Sequence, residues 1–440
     1  MSSRPPLILS IALVVVVFAL FLFAFAYGFA VNKYRLFPYD LAIEFETALK
    51  WTASQAPGNS AWYYQETSRT QMITAGAEQT PADNLNLITS VIENNTLSQR
   101  IIDMSGQLVH EWRIDWFELW PDAQHLPKSD IPKTRPGTHI HGTALFPDGD
   151  IVFNFEQLGT VRMNACGEVL WKLPYRTHHS IFTDDDGNLW LSAQRTSTEV
   201  LPLYPKHLPP VREPVVLQIS PDGDVLQEIS VMELLDKNGL RALLQMRADS
   251  ITNIVRGDTL HLNDVEIFSA DMQEGFFAHG DILISLRNIN TVLVFDPDSL
   301  EIKFIKTGGF VRQHDPDFID GNTVSLFDNN NIGPPGFGQQ SRILLLNANS
   351  GELVTYFSGN ESIPFYTDIM GKHQWLANGE LLITDSKNGR AFQLDKNRKL
   401  VWEFINLLDD GRVGIVEEVQ RLPAEAADWV SRAACHRDLQ

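Results

Sequence analysis

Residues Leu7 to Val31 form an almost unbroken apolar run, long enough to span a hydrocarbon core that takes about 20 helical residues. The run predicts one N-terminal transmembrane helix within residues 1–35, read as a signal anchor. Ala24-Phe25-Ala26 offers a cleavage site, but the run before it exceeds the roughly 7 to 15 residues of a signal-peptide core. From Pro38 to Gln55, Leu41, Phe45 and Leu49 recur at helical spacing among Asp40, Glu44 and Glu46, which predicts a juxtamembrane helix. A polar linker completes residues 36–83.

From residue 84 the pattern becomes short apolar runs broken by turn residues, and it repeats. One hairpin recurs six times, as at Ile102-Asp103-Met104-Ser105-Gly106-Gln107-Leu108-Val109, at Met163 to Leu170, at Ile219 to Leu226, at Phe295 to Ile302, at Leu346 to Val354 and at Leu394 to Trp402. A second recurs five times, at Asp148-Gly149, Asp186-Gly187, His279-Gly280, Asp320-Gly321 and Asn378-Gly379, dipeptides that supply the positive φ of tight turns. Each of these leads into an apolar stretch such as Ile151-Val152-Phe153 or Leu381-Leu382-Ile383. Two hairpins per unit of about 50 residues make the four-stranded blade of a propeller. The prediction is an all-β fold, a six-bladed β-propeller over 84–410, with a strand and short helix (Glu425 to Arg432) in a C-terminal tail, 411–440.

Composition agrees, with 25 Phe, 10 Trp, 28 Gly and 23 Pro favouring many short strands and turns. A net charge of -20 excludes nucleic acid as a partner, because phosphate binding needs a basic surface. Cys166 and Cys435 give neither a disulfide framework nor a CxxC motif; they read as unpaired thiols, with a single long-range bridge left open. Arg4 and the terminal amine balance Lys33 and Arg35 across the apolar run, so charge hardly decides its orientation.

Histidine recurs just before the first turn of successive units: His139 and His141, His178 and His179, His261, His314 and His373. Equivalent positions on the innermost strands of a propeller converge on its axis. A lone His in a turn is usually a surface hydrogen-bonding residue, but seven of the chain's 12 at matched positions predict one funnel. Imidazoles there suit either metal binding or the handling of an anion by a nucleophilic His with cationic neighbours. Arg287, after the strand Leu283 to Leu286, would repel a divalent ion and hold an oxyanion, favouring the second. No Gly-rich phosphate loop, GxSxG elbow or HExxH helix is present in the sequence.

Gln313-His314-Asp315-Pro316-Asp317-Phe318 with Asp320-Gly321-Asn322, His261-Leu262-Asn263, Ser285-Leu286-Arg287-Asn288 and Ser341-Arg342-Ile343-Leu344 resemble motifs of the bacterial arylsulfotransferase (arylsulfate sulfotransferase) family. The resemblance spans most of 84–425. It implies a periplasmic propeller, free of metal and cofactor, that moves a sulfuryl group from an aryl sulfate to a phenol through a sulfohistidine. By the same resemblance His314 is the nucleophile, and His261, Asn263 and Arg287 hold the sulfate oxygens. A further family His corresponds to His141 or His179, and His373 occupies a matching ring position. Two departures stand out: the N-terminal β-sandwich domain of the best-studied members has no counterpart, and Ser269 to Ala278 lengthen the interval from His261 to Arg287. The rival readings are a non-catalytic propeller anchored to a membrane assembly, binding a protein partner or forming a homo-oligomer, with Trp116 to Trp120 and Pro334 to Phe337 as its apolar loops, and a metal- or cofactor-dependent propeller enzyme.

Overall fold

The computed structural model describes residues 7–34, 36–39, 62–75, 84–333, 339–424 and 426. Contacts divide the chain into two units, Met1–Trp62 and Tyr63–Gln440. In the first, the apolar run forms the helix Leu7–Tyr34, of which Ala12–Tyr34 is long and apolar enough to cross a membrane or to serve as a signal sequence. The expected juxtamembrane helix lies, beyond Tyr39, outside the described residues.

The second unit is a ring of six antiparallel blades. Blade 1 is Val416–Arg421, Leu85–Ile92, Thr96–Asp103 and Leu108–Ile114. Blade 2 is Ile140–Leu145, Ile151–Phe155, Gly159–Met163 and Val169–Leu173. Blade 3 is Arg176–Thr183, Leu189–Ser197, His207–Ile219 and Val225–Ser230, with Val255–Gly257 added in parallel. Blade 4 is Leu262–Ile267, Ile282–Leu286, Thr291–Phe295 and Ile302–Thr307. Blade 5 is His314–Asp320, Thr323–Asp328, Arg342–Asn347 and Leu353–Ser358. Blade 6 is Lys372–Trp375, Leu381–Asp385, Arg390–Leu394 and Leu400–Ile405, with Ile73–Ala75 as a fifth strand. The first strand of each blade touches the first strands of both neighbours, so these six line the axis.

Apolar residues run continuously in the second strands because both faces are covered. In Ile151–Phe155, Ile151, Phe153 and Phe155 pack toward blade 1 while Val152 packs toward blade 3. Every junction between neighbouring blades holds its own apolar cluster, as where Leu382, Trp402 and Phe404 of blade 6 meet Ile88, Val416 and Val419 of blade 1.

Four expectations need correction. The ring does not end at 410: Val416–Arg421, set apart as tail, is the innermost strand of blade 1, registered Val416 to Ser90 and Arg421 to Asn86. The missing sixth inner turn reflects this, since the first two strands of blade 1 come from opposite ends of the chain. The linker likewise contributes Ile73–Ala75 to blade 6 and pairs Tyr64–Glu66 with Arg412–Gly414. Cys166 is disulfide-bonded, and the chain's only other cysteine, Cys435, lies outside the described residues, as does most of the expected C-terminal helix. Trp116–Leu119 is a one-turn helix with Trp116 and Trp120 buried, not an exposed apolar loop; Pro334 to Phe337 lie outside the described residues.

Candidate functional site

Six of the seven histidines meet at one end of the axis. Ring centroids lie 5.3 Å apart for His139 and His141, 3.9 Å for His141 and His179, 5.0 Å for His179 and His261, 6.0 Å for His178 and His261, and 6.1 Å for His179 and His314. The strand starts are irregular there: register shifts between Ile140 and Thr143, His178 and Ile181, Leu262 and Asp264, and His314 and Asp317. Such bulges re-aim side chains beside functional sites. His179 (φ 59°) and His261 (φ 56°) take left-handed backbone conformations that cost a β-carbon-bearing residue about 1 to 3 kcal/mol. Gly142 (φ 99°) has no such freedom to give up, because a Cβ there would stand 1.8 Å from the carbonyl oxygen of His179.

Hydrogen bonds fix what each imidazole offers. Nδ1 of His314 faces two acceptors, the Arg312 carbonyl oxygen at 3.0 Å and Oδ1 of Asn329 at 2.6 Å. The Asn329 amide is itself oriented, since its Nδ2 donates to the carbonyls of Thr367 and Met370. Nδ1 therefore carries the proton and Nε2 the lone pair, and Nε2 is buried without a partner. Burial, reinforced by the Arg287 guanidinium, holds His314 well below the ordinary His value, so it is neutral near pH 7.

His261 is backed differently. Its Nδ1 binds Oδ2 of Asp258, whose Oδ1 accepts the His261 backbone N–H at 2.9 Å. Burial works against the Asp258 carboxylate, but these bonds and His261 overcome it and hold the carboxyl at about 2. Nε2 of His261, Nε2 of His179 and Nε of Arg287 are also buried without partners. Burial and then Arg312 pull the Arg287 guanidinium down to about 10, which leaves it charged. Arg287 and His261 are joined directly, the Arg287 N–H donating to the His261 carbonyl at 3.0 Å. The inserted Ser269 to Ala278 joins the opposite ends of those two strands, so it leaves their geometry alone.

The other expected residues sort themselves. Between the two family candidates, His179 is the one with an unpartnered inward nitrogen; Nδ1 of His141 is bound to Oε2 of Glu156 at 3.0 Å. An N–H of Asn263 is spent on the Gln313 carbonyl at 2.9 Å, which ties it to the segment preceding His314. His373 stands outside the cluster. Its ring is held by Asp315 at 3.0 Å and Ser325 at 2.7 Å, in a buried network where Lys372 pairs with Asp315 at 2.7 Å and Asp264 at 3.6 Å. Its strand in blade 6 keeps regular pairing through Lys372 to Trp375, without the bulge that aims the others.

Sequence reasoning missed Asp258, Glu156, Asn329 and Glu417. Glu156, Arg287 and Asn329 each directly follow the second strand of their blades, and Lys387 lies one residue further on in its own, a repeat parallel to that of the histidines. Glu417 sits at a register shift in the innermost strand of blade 1, with both carboxyl oxygens buried and unpartnered; burial, then Glu156, pushes its carboxyl well above the ordinary range. Among the described residues, donor groups within 4.8 Å of one another, close enough for one metal ion, are His139–His141–Glu156, Glu156–His178–His179 and Asp315–Asp317–His373. Neither His261 nor His314 belongs to such a group, so those two open wider than one ion needs.

A ring of neutral and carboxylate-backed imidazoles around a buried guanidinium, with nitrogens free inside, can hold a tetrahedral oxyanion and attack it. The family model for arylsulfotransferase (ASST) matches residues 142–407, which includes every residue of this cluster except His139, His141 and Glu417. The chain belongs to the arylsulfotransferase family. No curated protein matches the chain. Among solved structures, a protein of unknown function from Bacteroides caccae is 13% identical over 77% of this chain and 98% of its own, with a TM-score of 0.48. Virginiamycin B lyase from Staphylococcus aureus, solved with quinupristin, is 10% identical over 78% and 88%, with a TM-score of 0.38. A chain of a nidogen/laminin complex is 9% identical over 78% and 98%, with a TM-score of 0.43.

Proposed function

We propose that this arylsulfotransferase-family chain moves a sulfuryl group from an aryl sulfate to a phenolic acceptor through a sulfohistidine on His314, outside the cytoplasm. The observation that carries the reading is the tautomer of His314: two acceptors on Nδ1 leave a lone pair on a buried, unpartnered Nε2 beside Arg287.

In the first half-reaction that lone pair attacks sulfur, an N–S bond forms, and the S–O bond to the phenol breaks with its electrons on the phenolate oxygen. Arg287 neutralises the sulfuryl oxygens, and His179, when His178 donates to its Nδ1 at 2.7 Å, directs an N–H from Nε2 toward them. His261, its Nδ1 bound to the Asp258 carboxylate, acts from Nε2 as the general acid that gives a proton to the departing oxygen and recovers one from the acceptor hydroxyl. Acceptor oxygen then attacks sulfur and the N–S electrons return to Nε2. As in phosphoryl transfer, positioning and charge neutralisation supply the catalysis. The apolar helix Leu7–Tyr34 and the disulfide at Cys166 support membrane attachment with the propeller in an oxidising, extracytoplasmic compartment such as the periplasm.

The test uses the full chain in detergent with an aryl sulfate that releases a coloured phenol. Release that depends on an added phenol, together with one SO3 on the His314 peptide, is expected. Full transfer by His314→Asn would refute the assignment.

A further inference from the structure

Glu156 and Glu417 bring two carboxyls together on the side of the ring toward blade 1, where Glu156 also meets His141. Oε2 of Glu156 is 3.0 Å from Nδ1 of His141 and 3.7 Å from Nδ1 of His179, and the His139 and His141 rings are 5.3 Å apart. We propose that Glu156, with His139 and His141, holds one divalent transition-metal ion of the zinc, nickel or copper class.

Two imidazoles and one carboxylate make a borderline donor set that selects such ions over magnesium or calcium, which prefer oxygen. The ligand atoms of this group all lie within 4.8 Å of one another, and a second group, Glu156–His178–His179, shares the same carboxylate. Four imidazoles thus surround Glu156, so an ion need not draw on His261 or His314. Lys387 acts on both His139 and Glu417. The remaining group, Asp315–Asp317–His373, already has a cation of its own in Lys372, 2.7 Å from Asp315.

The proposal stands whether or not the ring transfers sulfuryl groups, because the measurement is metal binding itself. Untagged full-length chain in detergent is stripped with a chelator and titrated with zinc by calorimetry, then with cobalt to read its visible spectrum. One ion per chain is expected, weakened at least about tenfold by His139→Ala and by Glu156→Gln and unchanged by His279→Ala at an exposed site. Circular dichroism identifies a variant that fails to fold, in which case the other variant decides. Absence of stoichiometric binding, or binding equal to wild type in the folded variants, overturns the site.

Discussion

Removing the carboxylate behind His261 tests whether that imidazole works as a proton-bearing group. The Asp258 carboxyl sits at about 2, against about 4 for an ordinary Asp, a difference worth about 2 to 3 kcal/mol of interaction with its surroundings. A depressed carboxyl contributes its stability above the unfolded value near 4 and loses it as pH falls toward 2, so the whole contribution is present at pH 7. Asp258→Ala deletes both the bond to Nδ1 and the 2.9 Å bond that holds the left-handed His261 backbone. If that interaction is fully expressed in the transition state, kcat/KM for an aryl sulfate falls roughly 30- to 150-fold. Asp258→Asn, whose Oδ1 can still accept from Nδ1, costs less, about tenfold, because a charge-assisted bond becomes a neutral one. The double variant Asp258→Ala/His261→Ala should then be no slower than His261→Ala, since Asp258 acts through His261. Steady-state kinetics on the four proteins, with circular dichroism to confirm folding, gives the comparison. Losses that multiply, or an Asp258→Ala enzyme with wild-type kcat/KM, would refute the argument.

Other outcomes follow from the same geometry. Because burial and Arg287 keep His314 neutral, the acid limb of the kcat/KM profile should lie well below pH 6.5, and a limb at or above that value would contradict a neutral nucleophile. Gly142→Ala would place a Cβ 1.8 Å from the His179 carbonyl oxygen, so thermal melting should drop or transfer should disappear; a fully active, fully stable variant would show that the two strands separate freely. Reducing the disulfide at Cys166 should lower the unfolding temperature of the purified chain, by an amount in keeping with the about 2 to 5 kcal/mol typical of native disulfides, and an unchanged melting curve would argue against the bond.

Much of the architecture was legible because a propeller repeats its chemistry. Six outer hairpins and five inner turns each carry a local signal, and so do the histidines at matched positions. The closure of blade 1 was not, because Val416-Glu417-Glu418-Val419-Gln420-Arg421 lacks the apolar run of a core strand; it lines a polar axis, where carboxyls face inward. His373 shared the spacing of the ring yet sits elsewhere, since spacing places a residue on a strand but only a bulge decides where its side chain aims. Asp258 carries no repeat at all. It is three residues before His261 in a segment with no counterpart in the other blades, and only the fold shows that it grips the imidazole.

The strand exchange in blade 1 also fixes a moment in biosynthesis. Arg421 donates to Asn86 at 3.0 Å across 335 residues, so a growing polypeptide holds its first blade open until residue 421 has been made. The four core strands of each of blades 2 to 6 come from one contiguous stretch and can form as they emerge, but Glu417 and the innermost strand of blade 1 follow all of them. A chain cut short before residue 416 would keep five blades and every ring histidine and still lack the strand that closes the circle. Residues 416–421 thereby act as a latch, and the funnel acquires its final wall only once they have been made.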